Sequence, residues 1–180
     1  MICLEERGLV DMDQRPKDLY IALDQATKCT GYSVFYNGKL VDHGIHSAKG
    51  YEKERIANMR NWLQGKIDAI EIKYNQKLDM LVLEDIQMHH GDVITFKTLA
   101  HLQGVLVNLA YENKMKTKIY FASSWRHGIG IKGTGKTIQK KNAQIFTKNN
   151  FGLDVSNDEA DAICIGEHEN RERNKEINFE

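Results

Sequence analysis

The chain has 180 residues, enough for one compact domain with a real core and too short for the two lobes of a helicase. Hydrophobic residues make up 41% and charged residues 28%, an ordinary globular composition. The formal net charge is +0, so bulk charge identifies no nucleic-acid partner, and no continuous apolar run approaches the roughly 20 residues that cross a bilayer.

Residues 1–17 are polar and aperiodic, contain Pro16, and are expected to form a flexible N-terminal extension. Three strand-like segments follow: Leu19–Leu23, Gly31–Tyr36 and Lys39–Ser47. Asn37-Gly38 lies between the last two, a hairpin signal because both residues tolerate positive φ. Gln25–Thr30 reads as the turn leaving the first strand. Over Glu52–Ile72 the pattern changes to a helical one, with Ile56, Met59, Leu63, Ile67 and Ile70 spaced at three and four. Met80–Glu84 is a short apolar run typical of a strand buried on both faces.

Asp92–Glu112 is again helical. Its apolar arc, from Val93 and Phe96 through Leu106 and Leu109, is wider than one sheet contact requires. The surplus fits either a central core helix or burial against a second copy of the chain. Lys118–Phe121 is a fifth strand, and Thr137–Asn150 and Asn157–Asn170 are the last two helices. Ser156 with Glu159 forms a capping-box pattern for the final one. The order β-β-β-α-β-α-β-α-α predicts an α/β domain over 18–170, a mixed five-stranded sheet with helices on both faces, and a polar tail over 171–180. The first and fourth strands, both apolar on both faces, are the expected central neighbours.

Charge is unevenly distributed. From Asn113 to Leu153 there is no Asp or Glu but nine basic residues, among them Arg126, Lys132, Lys136, Lys140, Lys141 and Lys148. From Asp154 onward nine acids face only Arg171, Arg173 and Lys175. A basic block beside an acidic cluster suits a phosphate-tracking surface flanking a metal site, although a solvated basic face has the same composition. The three cysteines, Cys3, Cys29 and Cys164, lack metal-type spacing and read as free thiols. With an N-terminus lacking a signal-peptide core, they point to the cytoplasm.

Gly130–Thr137 matches the P-loop pattern, and Asp158-Glu159-Ala160-Asp161 spells a helicase signature. Context argues against an ATPase. Ser123–Gly128 separates the glycines from the preceding strand, and a helix follows the acids where a strand should precede them. Gly128–Thr137 reads instead as a flexible basic loop able to approach phosphates.

Four carboxylates remain. Asp24 closes the first strand and Glu84 the fourth, which would set them side by side. Asp158 and Asp161 are one turn apart on a helix face. Each has a structural alternative: a turn cap for Asp24, the helix dipole for Asp158. Together they would repel one another without a cation, and oxygen donors suit Mg²⁺. Asp85 points to the opposite face from Glu84. His89 and His90 read as solvent-side or DNA-side residues, and His168 as a remote supporting residue. Trp125 and Tyr32 read as core.

With these residues placed, the chain resembles the RuvC-type Holliday junction resolvases, particularly the smaller phage-encoded kind. The likeness runs from about Leu19 to His168. It is carried by Leu-Tyr-Ile-Ala-Leu-Asp24 with Gly31-Tyr32, by Leu-Val-Leu-Glu84, by Ser124-Trp125-Arg126 leading into the Gly/Lys loop, and by Asp158-Glu-Ala-Asp161-Ala-Ile. It implies an RNase H-like fold and a homodimer. It also implies a crossover junction endonuclease of DNA recombination and repair, in a bacterial or phage-infected cell, leaving 5′-phosphate and 3′-hydroxyl ends.

The same likeness implies two Mg²⁺ ions, with Mn²⁺ able to substitute, at Asp24, Glu84, Asp158 and Asp161. Lysines before the last acids would assist catalysis, Lys140 or Lys141 above all. Bacterial members carry an aromatic shortly after the second acid, whereas here Asp85-Ile86-Gln87-Met88 has none. The rival readings are an RNase H-like nuclease of RNA–DNA hybrids or flaps, a nucleotide hydrolase using Lys136 and Thr137, and a non-catalytic binder of DNA structures.

Overall fold

The computed structural model describes residues 18–88, 92–133 and 135–177. Five strands form one mixed sheet in the order β3-β2-β1-β4-β5. The central strand β1 (Leu19–Asp24) runs antiparallel to β2 (Cys29–Tyr36) and parallel to β4 (Met80–Glu84). The edges are β3 (Lys39–Ser47), antiparallel to β2, and β5 (Lys116–Tyr120), parallel to β4. The expected side-by-side placement of the first and fourth strands is therefore what the chain adopts. Asn37 and Gly38 turn the β2–β3 hairpin at φ 50° and 75°, the double positive φ that the Asn-Gly pair favours.

Strand alternation sorts the core into two halves. Leu19, Ile21 and Leu23 of β1, with Leu81 and Leu83 of β4, face α1 (Glu52–Tyr74) and α2 (Val93–Glu112). Tyr20, Ala22 and Val82 face the other way, onto α3 (Ala122–Gly128), α4 (Lys136–Phe151) and α5 (Asn157–Ile177). Asp24 and Glu84 continue the second set by the period of two, so both are delivered to the α5 side.

The helices follow the apolar spacing closely. Met59, Leu63, Ile67 and Ile70 are the buried residues of α1. In α2 the buried residues are Leu102, Leu106, Leu109 and Ala110, while Val93 and Ile94 stay 47% and 79% exposed. Part of its wide apolar arc is thus left open within one chain. Among the described residues α2 is the one helix that reaches the length and apolar composition of a membrane span. Its buried residues, Leu102, Leu106, Leu109 and Ala110, are spent on the core.

Three expectations need correction. The segment Ser123–Gly128, to which the sequence pattern assigns no element, lies within the short helix α3, so the loop expected from Gly128 begins after it. The fifth strand begins at Lys116 rather than Lys118, because pairing with β4 starts at Met80. The last helix does not stop at Asn170 but continues to Ile177, into the segment expected to be a polar tail over 171–180. Arg171 and Arg173 explain the extension, since they bond Glu167 at 2.9 Å and Glu169 at 2.7 Å one turn back. The expected flexible extension 1–17 lies outside the described residues.

The first turn of α5 presses unusually close to the sheet. A Cβ at Gly31 would lie 1.8 Å from the carbonyl oxygen of Asp158. Further along, the Ser33 hydroxyl donates to the Ala162 carbonyl at 2.7 Å, and the Tyr20 hydroxyl to the Gly166 carbonyl at 3.0 Å. Replacing Gly31 with Ala should therefore force α5 outward, because a backbone carbonyl cannot rotate aside as a side chain can. The expected cost is at least about 1–3 kcal/mol, the usual scale for overpacking, measured by urea unfolding. Wild-type stability of Gly31→Ala would show that the contact is not tight.

Candidate active site

Asp24 and Glu84 end the two central parallel strands, one step beyond the pair Leu23↔Leu83. Opposite them stands the start of α5. Ser156 caps that helix by accepting from the Glu159 N–H at 3.4 Å. The other half of the expected capping box does not form, because the Glu159 carboxylate is taken by His43 of β3 at 2.6 Å. The helix thus opens with Asp158 partly exposed at its first turn and Asp161 buried one turn deeper.

Asp24, Glu84 and Asp161 line one cleft of about 570 Å³, together with Asp85, Arg126 and Lys140. Asp85, set aside from the sequence as facing the opposite side, does reach the cleft wall.

The electrostatics fit convergence. Burial pushes the Asp24 carboxyl well above its ordinary range, and the charges of Asp161, Glu84 and Asp158 push it further. Asp161 is raised to about 7, chiefly by burial, with Glu84 and Asp158 adding to it against the opposing pull of Arg126 and Lys140. Glu84 is also raised by burial, and is partly offset by a hydrogen bond from Trp125 and the charge of Arg126.

Positive side chains already engage two of the four acids. Arg126 Nη2 lies 3.9 Å from Glu84 Oε2, and Lys140 Nζ lies 3.7 Å from Asp158 Oδ1. Lys140 therefore sits in the site. Lys141 is exposed on the helix and is not part of the cleft lining. Lys132 is exposed in the loop before α4, where Asn142 binds its carbonyl at 2.6 Å. Lys136 opens α4, and its side chain lies outside the described residues, as do His89 and His90. Lys148, two turns beyond Lys140, pairs with Asp154 at 3.6 Å and does not line the cleft. His168 is buried between Tyr120, at a ring distance of 4.4 Å, and Gly128; it supports α3 and does not line the cleft.

Sequence reasoning overlooked the residues that hold Glu84. The Gln25 side chain accepts from the Glu84 N–H at 3.2 Å and donates to the Glu84 carbonyl, which also accepts from Gln103 at 3.1 Å. Trp125 is core, as expected, but its indole N–H also donates to Glu84 Oε2 at 2.7 Å. The only hint in the sequence was the Ser-Trp-Arg string itself.

The donor set suits a hard divalent cation in its chemistry. All four candidates are carboxylates, and Asp161 Oδ1 is a buried oxygen without a hydrogen-bond partner. The side chains are nevertheless not assembled into a ligand cage. Among the described residues no group of three or more His, Cys, Asp or Glu is arranged to hold a metal ion. Asp158 faces Lys140 and Glu84 lies near Arg126, so cation binding requires these two carboxylates to give up their cationic neighbours, while the Trp125 bond leaves Glu84 with free acceptor positions.

The fold and cleft together define an RNase H-like α/β domain with acids at the ends of its central strands. The fold is shared with solved RuvC structures. One similar structure is Thermus thermophilus RuvC in complex with a Holliday junction substrate, with a TM-score of 0.67 and 12% identity over 87% of this chain and 96% of that one. Another Thermus thermophilus RuvC structure gives a TM-score of 0.66 and 14% identity over 88% and 96%. No family model and no curated protein sequence matches the chain.

The raised carboxyls make stability depend on pH in a stated direction. A carboxyl whose folded pKa exceeds its unfolded value favours folding below about pH 4 and loses that contribution as pH rises through the folded pKa. Metal-free wild type should therefore weaken from about pH 4 to beyond pH 7, given Asp161 at about 7. Asp161→Asn lacks this loss and should gain on wild type, by more than about 1 kcal/mol, as pH climbs from 5 to 8. Parallel urea titrations with no widening gap would remove the assigned desolvation of Asp161.

Proposed function

We propose that the protein is a metal-dependent endonuclease that nicks four-way junctions and related branched DNA. The observation that carries this reading is the meeting of Asp24, Glu84 and Asp161 in one cleft, with Asp158 beside them, on a RuvC fold. The relative bound to a Holliday junction substrate supports branched DNA as the substrate class.

In this reading Asp24, Glu84, Asp158 and Asp161 bind two Mg²⁺ ions, or Mn²⁺, which supply Lewis acidity for attack by water and departure of the 3′-oxygen. Water attack with that departure leaves 5′-phosphate and 3′-hydroxyl ends. Lys140 and Arg126, each beside one of the acids, are placed to neutralise charge on the phosphoryl oxygens of a strand bound in the cleft. The exposed Lys132 extends the positive surface along the backbone of the bound strand. The nucleotide-hydrolase reading gains nothing from the fold, since α3 separates β5 from the glycine loop where a P-loop follows its strand directly.

Asp24→Asn and Glu84→Gln should each lower Mg²⁺-dependent cleavage of a synthetic four-way junction at least about 100-fold while leaving junction binding intact. Full activity in either variant would refute the assignment. A panel of junction, flap, Y and RNA–DNA hybrid substrates separates the proposed activity from other RNase H-like nucleases, which would prefer the hybrid or the flap.

Two cuts on opposing strands require two sites, and the open apolar end of α2 offers the surface for a homodimer. Ile94, 79% exposed in the first turn of that helix, should be part of it. Sedimentation should give a dimer for wild type and a monomer for Ile94→Asp, a substitution that the helix N-terminus accepts. A monomeric wild type would remove this part of the proposal.

A further inference from the structure

Trp125 is fully buried in the half of the core that faces α5, yet its single polar atom is directed to a carboxylate in the cleft. A buried indole N–H requires an acceptor, and any backbone carbonyl would meet that need. Here the acceptor is Glu84 Oε2 at 2.7 Å. The other bonds on Glu84 fall on its main chain, from Gln25 and Gln103. Orientation of the carboxylate itself therefore depends on Trp125, with the more distant Arg126 stacked on the indole at 4.4 Å. One N–H occupies one lone pair, and an ionised carboxylate retains acceptor capacity on both oxygens.

We propose that Trp125 is a positioning residue for Glu84, holding its carboxylate in the orientation in which it binds a divalent cation. This rests on the cation-dependent reading of the cleft given above. Trp125 reaches neither substrate nor cation. It acts as outer partners of metal ligands do, by fixing the ligand's rotamer so that binding need not order it.

The test is Mn²⁺ binding to the full chain without DNA, followed by calorimetry. Trp125→Phe removes the donor but also shrinks a core residue. A second variant carries 3-benzothienylalanine at 125, which keeps the bicyclic shape and replaces N–H with sulfur. The isostere should keep the wild-type unfolding midpoint and junction affinity. Its Mn²⁺ dissociation constant should rise about 10- to 100-fold, the usual effect of losing such a partner. Cleavage should recover at saturating Mn²⁺, moving the metal requirement rather than kcat. Unchanged or tighter Mn²⁺ binding by the isostere would overturn the proposal, the tighter case meaning that Trp125 competes with the cation. A wild-type chain that binds no Mn²⁺ would instead overturn the cation reading itself, and that result precedes any substitution.

Discussion

The site depends on how closely α5 can approach the sheet. Gly31 stands opposite Asp24 in the β1–β2 register, and its missing side chain admits the Asp158 carbonyl. Any larger residue there would hold the first turn of the helix away from the strand ends, and Asp158 and Asp161 with it. Gly166 repeats the device further along: a Cβ would come within 2.4 Å of Phe35 Cε2 and 2.7 Å of Ser33 Oγ. Two glycines on opposite sides of one interface, joined by the Ser33 and Tyr20 hydroxyl bonds, set the depth at which the helix lies. The acids meet because the packing leaves their backbones little room elsewhere.

Such a meeting works against stability. Burial and mutual repulsion both disfavour ionised Asp24, Asp161 and Glu84. The fold tolerates this by placing Arg126 and Lys140 at the rim and by anchoring α5 elsewhere. Toward the far end of that helix, buried Glu169 binds Tyr120 at 2.7 Å and Arg173, which in turn reaches Asp18 and Asp79. Hydrogen-bonded charges of this kind are costly to break singly, so they resist the repulsion acting at the other end. Strain at the site is thus balanced by ion pairs on the strand ends opposite the cleft.

Much of this was legible in the sequence because it follows from short-period patterns. The apolar runs Leu19–Leu23 and Met80–Leu83 place two strands centrally and set Asp24 and Glu84 side by side at their ends. The three-and-four spacing of Ile56 to Ile70 gives α1 almost to the residue. The sequence did not disclose contacts between elements. Nothing local says that Gln25 reaches across to Glu84, or that the indole of Trp125 turns toward the cleft. Helix α3 is too short to show a period. The continuation of α5 past Asn170 combines pairs one turn back, Arg171 with Glu167 and Arg173 with Glu169, with the reach of Arg173 to Asp18 and Asp79, which only the fold brings together.

The glycine-rich segment illustrates how one local pattern can serve two geometries. In a nucleotide-binding loop the glycines let main-chain amides surround phosphates. Here they turn the chain between two helices. Gly130, Gly133 and Gly135 have φ of 83°, 116° and 93°, values that L side chains rarely adopt. At Gly133 a Cβ would also lie 2.7 Å from Ile138 Cγ2 on the first turn of α4. The bends direct α4 back along α5, so that Lys140 comes to rest near Asp158. A lysine after glycines is therefore delivered to a cluster of acids by the helix that follows, rather than to a phosphate by the loop itself. Its match to the P-loop string reflects a shared need for tight turns before a helix, which is a constraint on backbone and not on ligand.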